Sequence, residues 1–241
     1  MKRDTGGFTL VELAVALVIV TLLLGGLLMP LSAQMEQKNY NDTRQQLAEA
    51  REALLGYAMT HAAADGKPYL PCPDINNDGK EDRIAATLKC SAANSAEGAL
   101  PWSDLGLQAT DAWGNRLHYR VLNRFADVNT GFSLSTPTSS NALTVYDSSD
   151  SGTRKTVATG LPLVLLSHGP NGFGALNVSG GLNAAPTTAD ELANADGSDA
   201  DSSNDDWFVM HAPVQNDFDD IVVWLPAAVL FNRMVTAGKL P

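Results

Sequence analysis

The pattern of apolar and polar positions divides the chain into unlike parts. From Phe8 to Leu28 there are 21 residues, and Glu12 is the only ionisable one. As a helix rising about 1.5 Å per residue this run is roughly 31 Å long, which matches a hydrocarbon core of about 30 Å. After Pro30 the pattern changes. Ser32 to Ala64 is rich in Ala, Gln, Glu, Leu and Arg and has no Pro. Leu47, Ala50, Leu54, Ala58 and His61 fall at three- and four-residue steps and share one face, while Gln45, Glu49, Arg51 and Glu52 take the others. Together the two runs predict one long helix from Phe8 to Ala64. It is weakened at Gly25-Gly26 and Pro30, where a soft segment and a plain kink fit equally well. Asp65-Gly66-Lys67-Pro68 supplies the stop.

Beyond the helix, alternating or continuous apolar runs predict strands at 115–125, 131–135, 142–146, 156–166, 207–211 and 220–224. Ser-, Thr- and Gly-rich turns separate most of them, and no helical crossover lies between most pairs, so the sheet is expected to be antiparallel. Trp102 and Trp113 read as core anchors. Asn183 to Asp206 is mostly Ala, Asp, Ser and Asn with little to bury, which predicts a long acidic loop, mobile or ordered by a second cation. Pro226, Ala227 to Ala237 and Gly238 read as a short closing helix packed through Val229, Leu230, Met234 and Val235.

The 44% apolar content is ample for one core, and the formal net charge is −11. Such a surface repels nucleic acid, and no basic stripe opposes it. The basic Met1-Lys2-Arg3 head places the N-terminus in the cytoplasm, so the domain after the span lies outside the inner membrane. Cys72 and Cys90 both fall in that exported part and read as one disulfide. It would close a 17-residue interval, and such a loop is worth about 3 kcal/mol in the chain-entropy model.

Between the cysteines, Asp74, Asn76, Asp78 and Asp82 carry oxygens at alternate positions, with Gly79 after the third. This is the opening of an EF-hand-type calcium loop, to which Lys80 would add its backbone carbonyl. Ala85 stands where a full loop supplies a bidentate Glu, so the pattern more closely resembles the short loops of dockerin- and thrombospondin-like repeats. A polar Asx-rich turn is the other reading.

No hydrolase, zinc-protease or phosphate-loop motif is present. Ser167 and His168 are adjacent on a strand and point to opposite faces, which disfavours a dyad. His61, His118, His168 and His211 are isolated in sequence, and Asp217, Asp219 and Asp220 crowd before a strand, where two of them would cap the turn. The chain is not expected to be an enzyme.

Gly7-Phe8-Thr9-Leu10-Val11-Glu12 behind a basic head resembles the type IV prepilin (class III) signal shared by pilins and type II secretion pseudopilins. The resemblance implies that a membrane prepilin peptidase cuts after Gly7, that Phe8 becomes a methylated N-terminus, and that Glu12 serves assembly. Asp111-Ala112-Trp113-Gly114-Asn115 before an alternating run resembles the turn into the first strand of major pseudopilins. The implied fold is α+β and pilin-like: a long N-terminal helix, transmembrane in its first half, packed on a mostly antiparallel sheet, with a short C-terminal helix. The implied organisation is a leader at 1–7, a transmembrane and assembly helix at 8–31, a periplasmic half-helix at 32–64 and a globular domain at 65–241. Loss of Lys2, Arg3 and Asp4 with the leader would take 16 basic and 27 acidic residues to 14 and 26, and the charge to −12. Expected partners are the peptidase, other pilin or pseudopilin subunits, the inner-membrane assembly platform and lipid; calcium is the one expected cofactor. The function so implied is that of a minor subunit of a type IV pilus or a type II secretion pseudopilus. The alternative is a membrane-tethered binding module such as a tip adhesin, with a tethered enzyme third.

Overall fold

A computed structural model describes residues 7, 9–91, 94–196, 206–214 and 217–241; for residues 24–31 and 196 it describes the backbone only. Phe8, the basic head and most of the leader lie outside that set. The chain divides into two compact units, one ending at Asn41 and the other running from Asp42 to Pro241.

Helix α1 covers Leu10–Thr60 and stays helical through Gly25, Gly26 and Pro30. It stops short of the predicted Ala64. The Thr60 hydroxyl turns back onto the Gly56 carbonyl (2.9 Å), and Ala62 leaves the helix to bridge Pro68. Leu47, Ala50, Leu54 and Ala58 are fully buried, as their spacing predicts. His61 departs from that face. It lies past the helix end, exposed, and stacks on Tyr57 with ring centroids 3.8 Å apart.

The globular unit holds two sheets rather than one. The first contains β1 (Ser95–Ala99), β2 (His118–Leu122), β5 (Leu163–Ser167) and β7 (Ile221–Leu225) in the order β1-β2-β5-β7, all antiparallel. The second contains β3 (Leu143–Tyr146), β4 (Thr156–Leu161) and β6 (Trp207–Val209) in the order β4-β3-β6. There β3 runs antiparallel to β4 and parallel to β6, with Val145 opposite Phe208. The run predicted as one strand over 156–166 is therefore two strands in different sheets. Pro162 separates them because it has no N–H to donate to a ladder. Leu161 pairs with Leu143, and Leu163 pairs with Val121 and Leu225.

Three further expectations change. The predicted strand 131–135 is a turn, in which Ser133 N–H donates to the Thr136 hydroxyl and Thr136 N–H to the Ser133 carbonyl. Its apolar residue, Phe132, is fully buried beside Phe125 and Phe231. The strand predicted over 115–125 shortens to β2, because Asn123–Phe125 turns into a 3-10 helix. The acidic loop 183–206 contains helix α3 (Ala189–Asp196), with Glu191, Ala193 and Asn194 buried, while 197–205 lie outside the described residues. Asn194 anchors it: its amide donates to the Val209 carbonyl (2.9 Å) and accepts from Val209 N–H (2.7 Å).

Short helices complete the unit: α2 (Trp102–Leu105) and α4 (Ala227–Thr236). On α4, Leu230 and Met234 are buried, whereas Val229 and Val235 are exposed. Trp102 and Trp113 are half-buried rather than core residues; the Arg116 guanidinium covers Trp102 at 5.2 Å. The whole is an α+β arrangement of N-terminal helix, antiparallel sheet and short C-terminal helix, consistent with a pilin fold.

Leu54→Ala is expected to destabilise the protein by about 2–5 kcal/mol, since it opens a cavity at a fully buried position. Glu52→Ala, one helical step away and exposed, should stay within about 0.5 kcal/mol. Urea unfolding followed by near-UV circular dichroism of the two variants measures the contrast.

Candidate functional site

The first site is the start of α1. Thr9 and Glu12 form a reciprocal cap: Glu12 Oε2 accepts the Thr9 backbone N–H and the Thr9 hydroxyl, both at 2.8 Å, and Glu12 N–H donates back to Thr9 Oγ1 at 3.3 Å. This is the Thr-x-x-Glu capping box, and it satisfies groups that a helix start leaves open. The carboxylate sits where the helix dipole is positive. Beyond it the helix is apolar on every side. Leu10, Val11, Leu13, Val15, Leu17, Val18, Ile19, Val20, Leu22 and Leu23 are all 49–87% exposed. A helix apolar all round belongs in lipid or among other apolar helices. Among the described residues no helix is long and apolar enough to cross a membrane, and the expected span includes residues 24–31, whose side chains are not in that set.

The second site is the Asp74–Asp82 loop. The Cys72–Cys90 disulfide closes around it, with Cα atoms 5.1 Å apart. Asp74 is fully buried, and its carboxylate accepts Asn77 N–H and Gly79 N–H, both at 2.7 Å. Asp82 accepts Ile75 N–H, Asn76 N–H and the Asn76 amide. Asn76 Oδ1 accepts Asp78 N–H, and Asp78 Oδ1 accepts Lys80 N–H, each at 2.9 Å. Gly79 has φ +84, and a Cβ there would meet the Trp102 ring at 2.5 Å, so the sharp turn and the close approach both require glycine. The loop is tied to its surroundings by Arg116 Nε on Asn77 Oδ1 (2.7 Å) and by Glu81, which accepts Cys72 N–H and pairs with Arg83 at 2.8 Å. The five candidate ligand residues thus lie on one tight turn, as their spacing predicts. The carboxylates of Asp74, Asp78 and Asp82, however, face backbone N–H groups rather than converging within 4.8 Å of one another. Asp78 and Lys80 are exposed, so Asp78 can swing toward a cation, and Lys80 can offer its carbonyl.

The third assembly was not legible in the sequence. Glu191 on α3 and Asp219 and Asp220 before β7 bring carboxylate oxygens within 4.8 Å of one another, the one such trio of His, Cys, Asp or Glu among the described residues. Burial pushes the Asp219 carboxyl up to about 7, and the neighbouring Glu191 and Asp220 charges add to the rise. The histidines that look isolated in sequence are brought near other groups. His118 and His168 have ring centroids 5.7 Å apart, and His211 Nε2 lies 3.0 Å from Asp190. Burial holds the His118 imidazole well below its usual range, and the nearby His168 adds to this. Ser167 turns away from His168 and donates its hydroxyl to Asp111 at 2.6 Å. Burial raises the Asp111 carboxyl despite that bond.

An open groove of about 410 Å³ lies along the second sheet. Asn94, Asn141, Thr144, Tyr146, Asp206 and Trp207 line it. The Arg154 guanidinium stacks on Tyr146 and Trp207 at 4.3 and 4.9 Å.

In comparison with known families, residues 2–28 fit the model of the prokaryotic N-terminal methylation motif. The chain therefore carries the signal of a type IV pilin-like prepilin of class III. Such a motif implies processing by prepilin peptidase, assembly with other pilin subunits and a membrane-anchored or pilus location, and it points to a structural rather than a catalytic protein. No curated protein and no solved structure matches the chain.

Asp74→Ala should leave the Asn77 and Gly79 N–H groups without partners in a buried turn, a loss of about 1–3 kcal/mol for each buried donor left open. Hydrogen exchange read at Gly79 would accelerate in this variant. Unchanged protection there would mean that the carboxylate does not hold the loop.

Proposed function

We propose that this chain is a minor subunit of a type IV pilus or of a type II secretion pseudopilus, assembled through α1 after its leader is removed. The observation that carries the reading is the methylation motif at 2–28, continued by a helix whose apolar side chains are exposed all round. The basic head sets the topology: N-terminus cytoplasmic, globular unit periplasmic. Cleavage after Gly7 gives Phe8 a free amine, which is then methylated. The helix waits in the inner membrane, and the assembly platform moves it into a filament core. Both media are apolar, so the transfer keeps the helix out of water. In that core the Glu12 carboxylate neutralises the Phe8 amine of a neighbouring subunit, because an unpaired charge there is unfavourable.

Calcium at the Asp74–Asp82 loop belongs to this reading as a stabiliser of the periplasmic unit. Asp74, Asn76, Asp78 and Asp82 side chains and the Lys80 carbonyl would be its ligands. The chemistry is that of oxygen donors on a turn closed by the Cys72–Cys90 bond.

A tip-located binding module is the second reading. The open polar groove with Tyr146 and Trp207 favours it, since aromatic faces beside amide and carboxylate groups suit polar ligands.

Mass spectrometry of the mature protein should find an N-methylated Phe8 at its start. Glu12→Ala should be cleaved normally yet be absent from sheared filaments; equal amounts of variant and wild type in the filament fraction would rule out the assembly role of Glu12. Immunogold labelling separates the two readings, with label only at tips favouring the binding module. Titration calorimetry with calcium on the detergent-solubilised full chain tests the loop. The heat assigned to this site should disappear in Asp78→Asn.

A further inference from the structure

Glu191, Asp219 and Asp220 come from two segments distant in sequence, and a third segment closes over them. The turn after β5, Ser167 to Gly172, sits directly on Asp219. Gly169 has φ +58, and a Cβ there would lie 2.4 Å from the Asp219 carbonyl oxygen. Asn171 then bonds both sides of the trio, donating its N–H to Asp219 Oδ2 (2.9 Å) and its amide to Glu191 Oε1 (2.8 Å). Asp219 N–H reaches Glu191 Oε1 at 3.3 Å, and Asp220 Oδ2 accepts the Asn194 amide at 2.8 Å.

Two polar atoms at this place remain unsatisfied. Asp219 Oδ1 is buried with no hydrogen-bond partner. His168 is 1% exposed, its Nδ1 has no hydrogen-bond partner, and it faces Asp220 Oδ1 across 3.7 Å. A native interior rarely leaves such atoms open without an unseen ion or water. The charges tell the same story. Among the described residues no lysine or arginine pairs with any of the three carboxylates, and the ring that faces them is the His168 imidazole beside Asp220. Across α3, His211 is engaged with Asp190.

We propose that Glu191, Asp219 and Asp220 bind one hard divalent cation, with His168 as the hydrogen-bond donor that orients Asp220. Oxygen atoms held on either side of an ion at about 2.4 Å stand up to about 4.8 Å apart, and one oxygen from each of the three carboxylates lies within that limit of the others. Three carboxylates make an oxygen site of the kind taken by calcium or manganese. When Asp220 turns to the ion, its outer oxygen can meet the His168 N–H, a bond of the sort that fixes ligating carboxylates elsewhere. The ion would tie α3, the 167–172 turn and the entry to β7 into one block. This site is separate from the Asp74 loop and does not depend on the assembly reading.

The test uses the full chain in detergent, stripped with a chelator, in an Asp78→Asn background that removes the other calcium candidate. Calcium or manganese chloride at about 1 mM should raise the melting temperature by several degrees, through binding to the native state. Manganese electron paramagnetic resonance should count one bound ion. Glu191→Gln and Asp219→Asn should each abolish the shift while keeping the far-ultraviolet circular dichroism, and His168→Ala should weaken manganese binding about tenfold or more. The competing arrangement is a proton shared between Glu191 and Asp219. In that case neither ion binds in the Asp78→Asn background and Asp219→Asn melts higher than its parent, and either result overturns the proposal.

Discussion

The first half of α1 has to be covered by something other than water. Removing a side chain such as Leu or Val from water is worth about 1.5–3 kcal/mol, and ten such residues between Leu10 and Leu23 are left 49–87% exposed. That constraint explains why the segment is helical, since a backbone in lipid has to satisfy its own hydrogen bonds. It explains why the ionisable group is confined to the first turn and why the Thr21 hydroxyl turns back onto the Val18 carbonyl. It also explains why one carboxylate is tolerated there. Glu12 accepts two hydrogen bonds from Thr9 at the positive end of the helix, the place on an apolar rod where a negative group is least disruptive.

The globular unit treats its carboxylates in two opposite ways. In the Asp74–Asp82 loop each acid meets backbone N–H groups, so negative charge organises a turn that has few apolar contacts of its own. The disulfide and the Glu81–Arg83 pair hold the loop from outside. Around Glu191 the acids meet one another, and burial and mutual repulsion raise Asp219. The first arrangement gives each carboxylate backbone N–H partners. The second leaves Asp219 Oδ1 without a hydrogen-bond partner, so the same residue types sit in a different chemical setting.

Periodicity located what depends on local spacing. The buried face Leu47, Ala50, Leu54 and Ala58, the closing helix with Leu230 and Met234, and the strand cores at Val145 and Leu165 all follow from it. It failed where tertiary contacts decide. Ser95–Ala99 has no β-branched residue, yet forms an edge strand because β2 pairs with it and Gly98 lets it approach Asp74 within contact distance. Pro162 falls inside the strand expected over 156–166, although its missing N–H ends one sheet and begins the other. Helix α3 was hidden by its polar composition, since the residues that fix it are the polar Glu191 and Asn194. The Thr9–Glu12 cap has its own sequence pattern, Thr-x-x-Glu before an apolar run, on the same residues that carry the processing signal. The acidic loop around Glu191 and the Asp219-Asp220 pair are each visible in the sequence, but their meeting is not, because Glu191 lies 28 and 29 positions from the pair.

The cap bears on how an assembly charge pair would operate. Both Thr9 donors converge on Oε2 of Glu12, and Oε1 stands outside those bonds. A carboxylate has about four acceptor positions on its two oxygens. A neighbouring amine could therefore bind through Oε1 without displacing Thr9, and the carboxylate would already be oriented when it arrived. Pre-orientation lessens the entropy lost on pairing. The pairing would then add to the cap rather than replace it. The motif's Thr and Glu act as one unit, the hydroxyl and amide of one fixing the direction of the other.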